Sequence, residues 1–121
     1  MTGAARLLIC QECRLSNGNG APETGLREID GALDAAGLAG RVRPELAACM
    51  NCCGNPVTVA LQGKAMASYV FSGVSLSKDI DDIVAACRVY AESPDGVIED
   101  ARACGRLREL LVARLPPIRE R

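Results

Sequence analysis

The spacing of apolar and polar positions changes several times along the chain, and each change marks an element. Residues 6–9 (Arg-Leu-Leu-Ile) form a short apolar run that ends at Cys10 and predicts a buried strand. Residues 14–25 hold Gly, Asn, Ser and Pro22 and predict a loop, with Thr24 as a cap for the next element. From Gly25 onward, Leu26, Ile29, Leu33 and Leu38 recur at helical spacing, and Gly37 and Gly40 supply the stop. Residues 41–46 roughly alternate and predict a second strand, in which Pro44 suits a sheet edge or a strand end better than a central position. Residues 49–56 read as a loop. Residues 57–61 and 67–71 are strand-like runs on either side of Gln62-Gly63-Lys64, which predicts a hairpin. Residues 77–91 place Ile80, Ile83, Val84, Cys87 and Tyr90 on one helical face, with Ser77 as N-cap and Asp79 and Asp81 in the first turn. Ser93-Pro94-Asp95-Gly96 is a turn, and a last helix is expected over residues 107–114, stopped by Pro116-Pro117.

The resulting order is β-α-β, then a β-hairpin, then a helix. A β-α-β unit makes a parallel pair and a hairpin adds antiparallel strands, so the expected fold is α/β with a mixed sheet, the reduced thioredoxin arrangement. A length of 121 residues suits one domain. Its core is expected over about residues 5–92, with a short helical C-terminal extension over about 93–121.

Composition removes several function classes. Net charge is −1 and no long like-charge run occurs, so nothing marks a nucleic-acid or acidic-membrane surface. Tyr69, Phe71 and Tyr90 are the only aromatic residues, too few for a base-stacking platform. No apolar run approaches the ~20 residues that span a bilayer. The first ten residues lack the apolar stretch of a secretion signal, so a cytoplasmic location is expected.

Seven cysteines and no histidine decide the chemistry. Without histidine, most acid–base schemes, Cys–His nucleophiles and mixed Cys/His zinc sites are excluded. Cys10 and Cys13 form C-x2-C at the end of the first predicted strand, and Cys49 and Cys53 form C-x3-C after the second. In a β-α-β unit both strand ends lie on one rim of the sheet. The two pairs, thirty-five residues apart in the chain, would therefore meet. Clustered thiolates repel unless a metal compensates. An iron–sulfur cluster needs thiolate ligands and nearby N–H donors; Gly18 and Gly20 follow the first pair and Gly54 and Asn55 the second, and the glycines leave the backbone free to approach. Arg14 and Lys64 are candidates for offsetting cluster charge, against a reading as ordinary surface charges. Cys52 keeps an alternative open: Cys10, Cys13, Cys49 and Cys52 read as a four-thiolate zinc or cobalt site. A third reading takes Cys10-Gln11-Glu12-Cys13 as a redox dithiol, although a Gly-rich loop rather than a helix follows it. Cys87 reads as core and Cys104 as a spare thiol outside the core. Pro56 reads as structural.

C-x2-C, a long gap, then C-x3-C followed by Gly-Asn-Pro-Val-Thr-Val resembles the thioredoxin-like [2Fe–2S] ferredoxins. It is also similar to the small [2Fe–2S] subunit of bacterial NADH dehydrogenase. The first spacer is shorter than is typical of the ferredoxins. Residues 57–61, Gly63-Lys64, residues 69–71, Tyr90, Asp95-Gly96 and residues 113–117 most resemble an uncharacterised bacterial family of predicted metal-binding proteins that carries a numbered domain of unknown function. The resemblance implies a [2Fe–2S] cluster on Cys10, Cys13, Cys49 and Cys53, a one-electron carrier rather than an enzyme, and a reductase and an acceptor as partners. It further implies a homodimer and a role as electron donor in cobalamin or cobalt metabolism.

Overall fold

The computed structural model describes residues 5–10, 22–47, 57–76 and 78–117. Strand β1 is Ala5–Cys10, helix α1 Pro22–Ala35 and strand β2 Val42–Ala47. Strands β3 (Val59–Gln62) and β4 (Ser68–Phe71) come next, then helix α2 (Ile80–Glu92). Ala101–Leu110 forms 3-10 turns, and Leu111–Leu115 is strand β5.

The sheet order is β2-β1-β3-β4-β5. The β1–β2 pair is parallel, and β1–β3, β3–β4 and β4–β5 are antiparallel. This is the mixed α/β, thioredoxin-like arrangement that the periodicity predicts. Pro44 lies in the edge strand β2, where a missing N–H is tolerated.

Alternation sets the two faces of the sheet. Leu7, Ile9, Val59, Leu61, Tyr69 and Phe71 pack into one core with Ile29 and Leu33 of α1 and with Ile83, Cys87 and Tyr90 of α2. The helices touch each other beneath that face, where the Arg88 guanidinium donates to the Ala36 carbonyl at 2.8 Å and so satisfies the C-terminal end of α1. On the opposite face a cross-strand row runs Glu45, Leu8, Ala60, Val70, Ala113.

Three expectations are corrected. Helix α1 begins at Pro22, so Thr24 lies within its first turn and does not precede it. Proline suits that first position because its missing N–H has no helical partner there. Helix α2 begins at Ile80 with Asp79 as its N-cap residue, and Ser77 lies outside the described residues. The helix expected over residues 107–114 is instead the end of the 3-10 turns and then β5. Its leucines and arginines suit a helix, but β4 offers a row of unpaired backbone groups that only a strand can satisfy.

The extension is fastened by polar contacts. Asp79 is buried; its carboxylate accepts the Ser75 N–H at 2.8 Å and ion-pairs with Arg106. Asp82 accepts the Arg106 N–H at 3.1 Å. Between them Gly105 takes a positive φ of 60°, and a Cβ there would collide with the Asp82 carboxylate.

Candidate metal centre

The rim of the sheet where β1 and β2 end carries the candidate chemistry. Cys10 closes β1 and is opposite Ala47, the last residue of β2, in the parallel register. Neighbouring strands lie ~4.8 Å apart, so the segments after residues 10 and 47 leave from one place. Cys13 comes three positions after Cys10, and Cys49 two positions after Ala47. On its other side, the Cys10 N–H donates to the Thr58 carbonyl at 3.0 Å. The chain between Ala47 and Thr58, which holds Cys49, Cys52 and Cys53, therefore begins and ends beside Cys10.

Cys10 itself is 1% exposed and belongs to the core cluster. Continuing the β1–β3 register by one residue from Ile9↔Val59 sets Thr58 across from Cys10, on the same face. Thr58 is fully buried, and its Oγ1 meets no hydrogen-bond partner among the described residues. A buried hydroxyl without a partner costs ~1–3 kcal/mol, so it marks a place where a further acceptor is expected. A thiolate or sulfide sulfur is an acceptor of the right kind. On this observation the described part of the rim, Cys10 with Thr58, is compatible with a sulfur-rich group.

Cys13, Cys49, Cys52 and Cys53 lie outside the described residues, as do Arg14, Gly18, Gly20, Gly54, Asn55 and Pro56. Among the described residues no three Cys, Asp or Glu side chains form a group that could hold a metal ion. Lys64 is in the β3–β4 turn, beyond the Gln62↔Arg6 pair, at the end of the sheet away from Cys10. It is an exposed surface charge and does not offset charge at the rim.

Two further cysteines are free thiols remote from this rim in sequence. Cys87 is fully buried on α2, as its helical spacing predicts. Burial first, and Cys104 second, push its thiol up to about 12. Cys104 is only 2% exposed, which corrects the reading of it as a thiol outside the core. The 3-10 turns fold back on α2 and seal it in. Burial, then Asp82 and Asp100, raise its pKa, so both thiols stay protonated and inert near neutrality.

Thr58 is a candidate site residue that sequence reasoning passed over. Its signal was a hydroxyl inside the apolar run of residues 57–61, in register with Cys10 once the hairpin pairs with β1. No helix among the described residues is long and apolar enough to cross a membrane. No curated protein matches the chain. A family model does match, over residues 7–117, and the chain accordingly belongs to the family described as protein of unknown function DUF1636.

Proposed function

We propose that the protein is a one-electron carrier that holds a [2Fe–2S] cluster through Cys10, Cys13, Cys49 and Cys53. One observation carries the reading. The parallel register sets Cys10 beside Ala47, and the Cys10 N–H bond to Thr58 brings the chain back to the same point. Both cysteine segments thus have their anchors at one rim. The unpartnered Thr58 hydroxyl supports a sulfur acceptor at that rim.

A bound cluster supplies reversible uptake of one electron, at a potential set by hydrogen bonds, burial and nearby charge. The chain contributes the rest. Cys10 enters from a rigid, buried strand end, which limits its movement. The Thr58 hydroxyl would stabilise negative charge on a cluster sulfur by donating to it. Ile9, Val59 and Phe71 line the next row of the sheet and exclude water from beneath. A reductase and an acceptor protein would dock transiently at the same rim. No bond-making step is assigned to the chain.

Iron and acid-labile sulfide, measured on protein purified without oxygen, test the reading. About two of each per chain are expected. Cys53→Ser should lose both, and Cys52→Ser should keep them. About one zinc or cobalt ion per chain, no sulfide, and metal loss in Cys52→Ser would instead establish the four-thiolate site. Metal-free protein that reduces disulfides through Cys10 and Cys13 would establish the dithiol.

A further inference from the structure

A second feature lies on the helix-side face, at the other side of the sheet. A cleft of about 200 Å³ opens between β4, β5 and the 3-10 turns. Its walls are the rings of Tyr69 and Phe71, with Ile98, Leu111 and the Cys104 side chain, and Arg108 and Arg114 also line it. Tyr69, Phe71 and Cys104 are buried and Ile98 half-buried, Leu111 is 43% exposed at the mouth, and both arginines are exposed. Neither arginine makes a hydrogen bond or an ion pair among the described residues. Among the described residues, the other arginines of this extension are engaged: Arg102 grips Asp100 with two bonds of 2.9 Å, and Arg106 pairs with Asp79. Asp100 feels Arg108 only at a distance.

The strand pairing shows how the cleft is made. Leu111 and Arg114 are three positions apart, and in a regular strand they would point to opposite faces. The register shifts between Val70 and Phe71, so that Phe71 is opposite Leu111 and Tyr69 is opposite Arg114. This bulge turns both side chains to the face of the two rings, and irregularities of this kind re-aim side chains at sites. An apolar slot with two uncommitted guanidinium groups is complementary to an anion with an apolar body.

We propose that this cleft binds a small carboxylate with one ring or a short aliphatic chain. The ring lies against Tyr69, Phe71 and Leu111, and the carboxylate is held by Arg108 and Arg114. Guanidinium suits carboxylate because its fork of N–H donors can bind both oxygens. The volume accommodates about one ring of benzene size and no more. Cys104 contributes an apolar wall and no nucleophile, since its thiol is protonated. The proposal is independent of the metal reading.

Benzoate, benzyl alcohol and inorganic phosphate are the probes, each titrated into the full-length chain and followed by ligand-observed NMR. Saturable benzoate binding is expected, about tenfold or more tighter than either control. Arg108→Gln and Arg114→Gln should each weaken it by about tenfold, with melting temperature and iron content unchanged, because both side chains are exposed. Ala101 also lines the cleft from the 3-10 side, and Ala101→Phe, which fills it, should abolish binding. Absent benzoate saturation overturns the proposal. So does equal binding of the alcohol or of phosphate, or unchanged affinity in both arginine variants.

Discussion

Single residues around Tyr90 hold the second half of the molecule together. The Tyr90 hydroxyl donates to the Ala67 carbonyl, and the Ala67 N–H donates to the Asp95 carbonyl at 2.8 Å. Gly96 comes next at a φ of 75°, with a would-be Cβ 2.8 Å from Tyr90 Cε1 and 2.8 Å from Met66 Cβ. Gly96→Ala meets both backbone strain and a crowded ring, so it should destabilise the protein by about 2–4 kcal/mol, read as a lower urea midpoint. Tyr90→Phe removes only the hydroxyl and should cost about 1–2 kcal/mol. Cys87 gives the pH dependence a defined sign. Its thiol rises from an ordinary 9.0 to about 12 in the folded state. Protonated thiol is therefore favoured by folding. That stability is fully present below pH 9 and is lost as pH rises from 9 toward 12. Cys87→Val should flatten the alkaline fall in stability by up to ~1.4 kcal/mol per pH unit, measured by urea unfolding across that range.

Among elements, the junction of α2 with the 3-10 turns is held by polar contacts of Arg106 with Asp79 and Asp82. Arg106 is half exposed, but the Asp79 carboxylate it pairs with is 6% exposed. Arg106→Ala leaves that carboxylate with the Ser75 N–H as its remaining described donor, and the expected loss is about 1–3 kcal/mol. An Asp79→Asn, Arg106→Ala double variant should recover part of it, because no buried charge then lacks a partner. The same junction shows why the residue pattern misleads at the end of the chain. Residues 107–114 carry leucines and arginines at a spacing that suits a helix, and local propensity has no knowledge of β4. The unsatisfied edge of β4 overrides it, and Gly105 makes the turn that delivers residues 111–115 to that edge.

For the whole molecule, the extension is part of the sheet. Strand β5 covers β4 and leaves Leu111, Val112 and Leu115 43%, 54% and 60% exposed at the new edge. A chain ending before Leu111 would expose the β4 edge and the Tyr69 and Phe71 rings. It should melt at a lower temperature and aggregate more readily, measured by light scattering during a thermal ramp. Under the carrier reading, Thr58→Val should keep iron yet lower the midpoint potential, because the sulfur loses a donor that stabilises added charge. Direct voltammetry of the two proteins checks the sign.

Periodicity alone was enough for the β-α-β-β-β-α order, for the core positions Ile29, Leu33, Ile83, Cys87 and Tyr90, and for the edge location of Pro44. Each of these depends on local spacing of apolar side chains, which a sequence displays directly. Of the cysteine doublets, the placement of Cys10 at the end of the first strand was also legible. What required the folded chain was every relation between distant segments. The Cys10–Ala47 register and the orphaned Thr58 hydroxyl exist only once β1, β2 and β3 are side by side. The burial of Cys104 and the conversion of residues 111–115 to a strand depend on which surfaces were left open by the rest of the fold. Burial and hydrogen-bond satisfaction are properties of neighbours in space, and a linear pattern does not carry them.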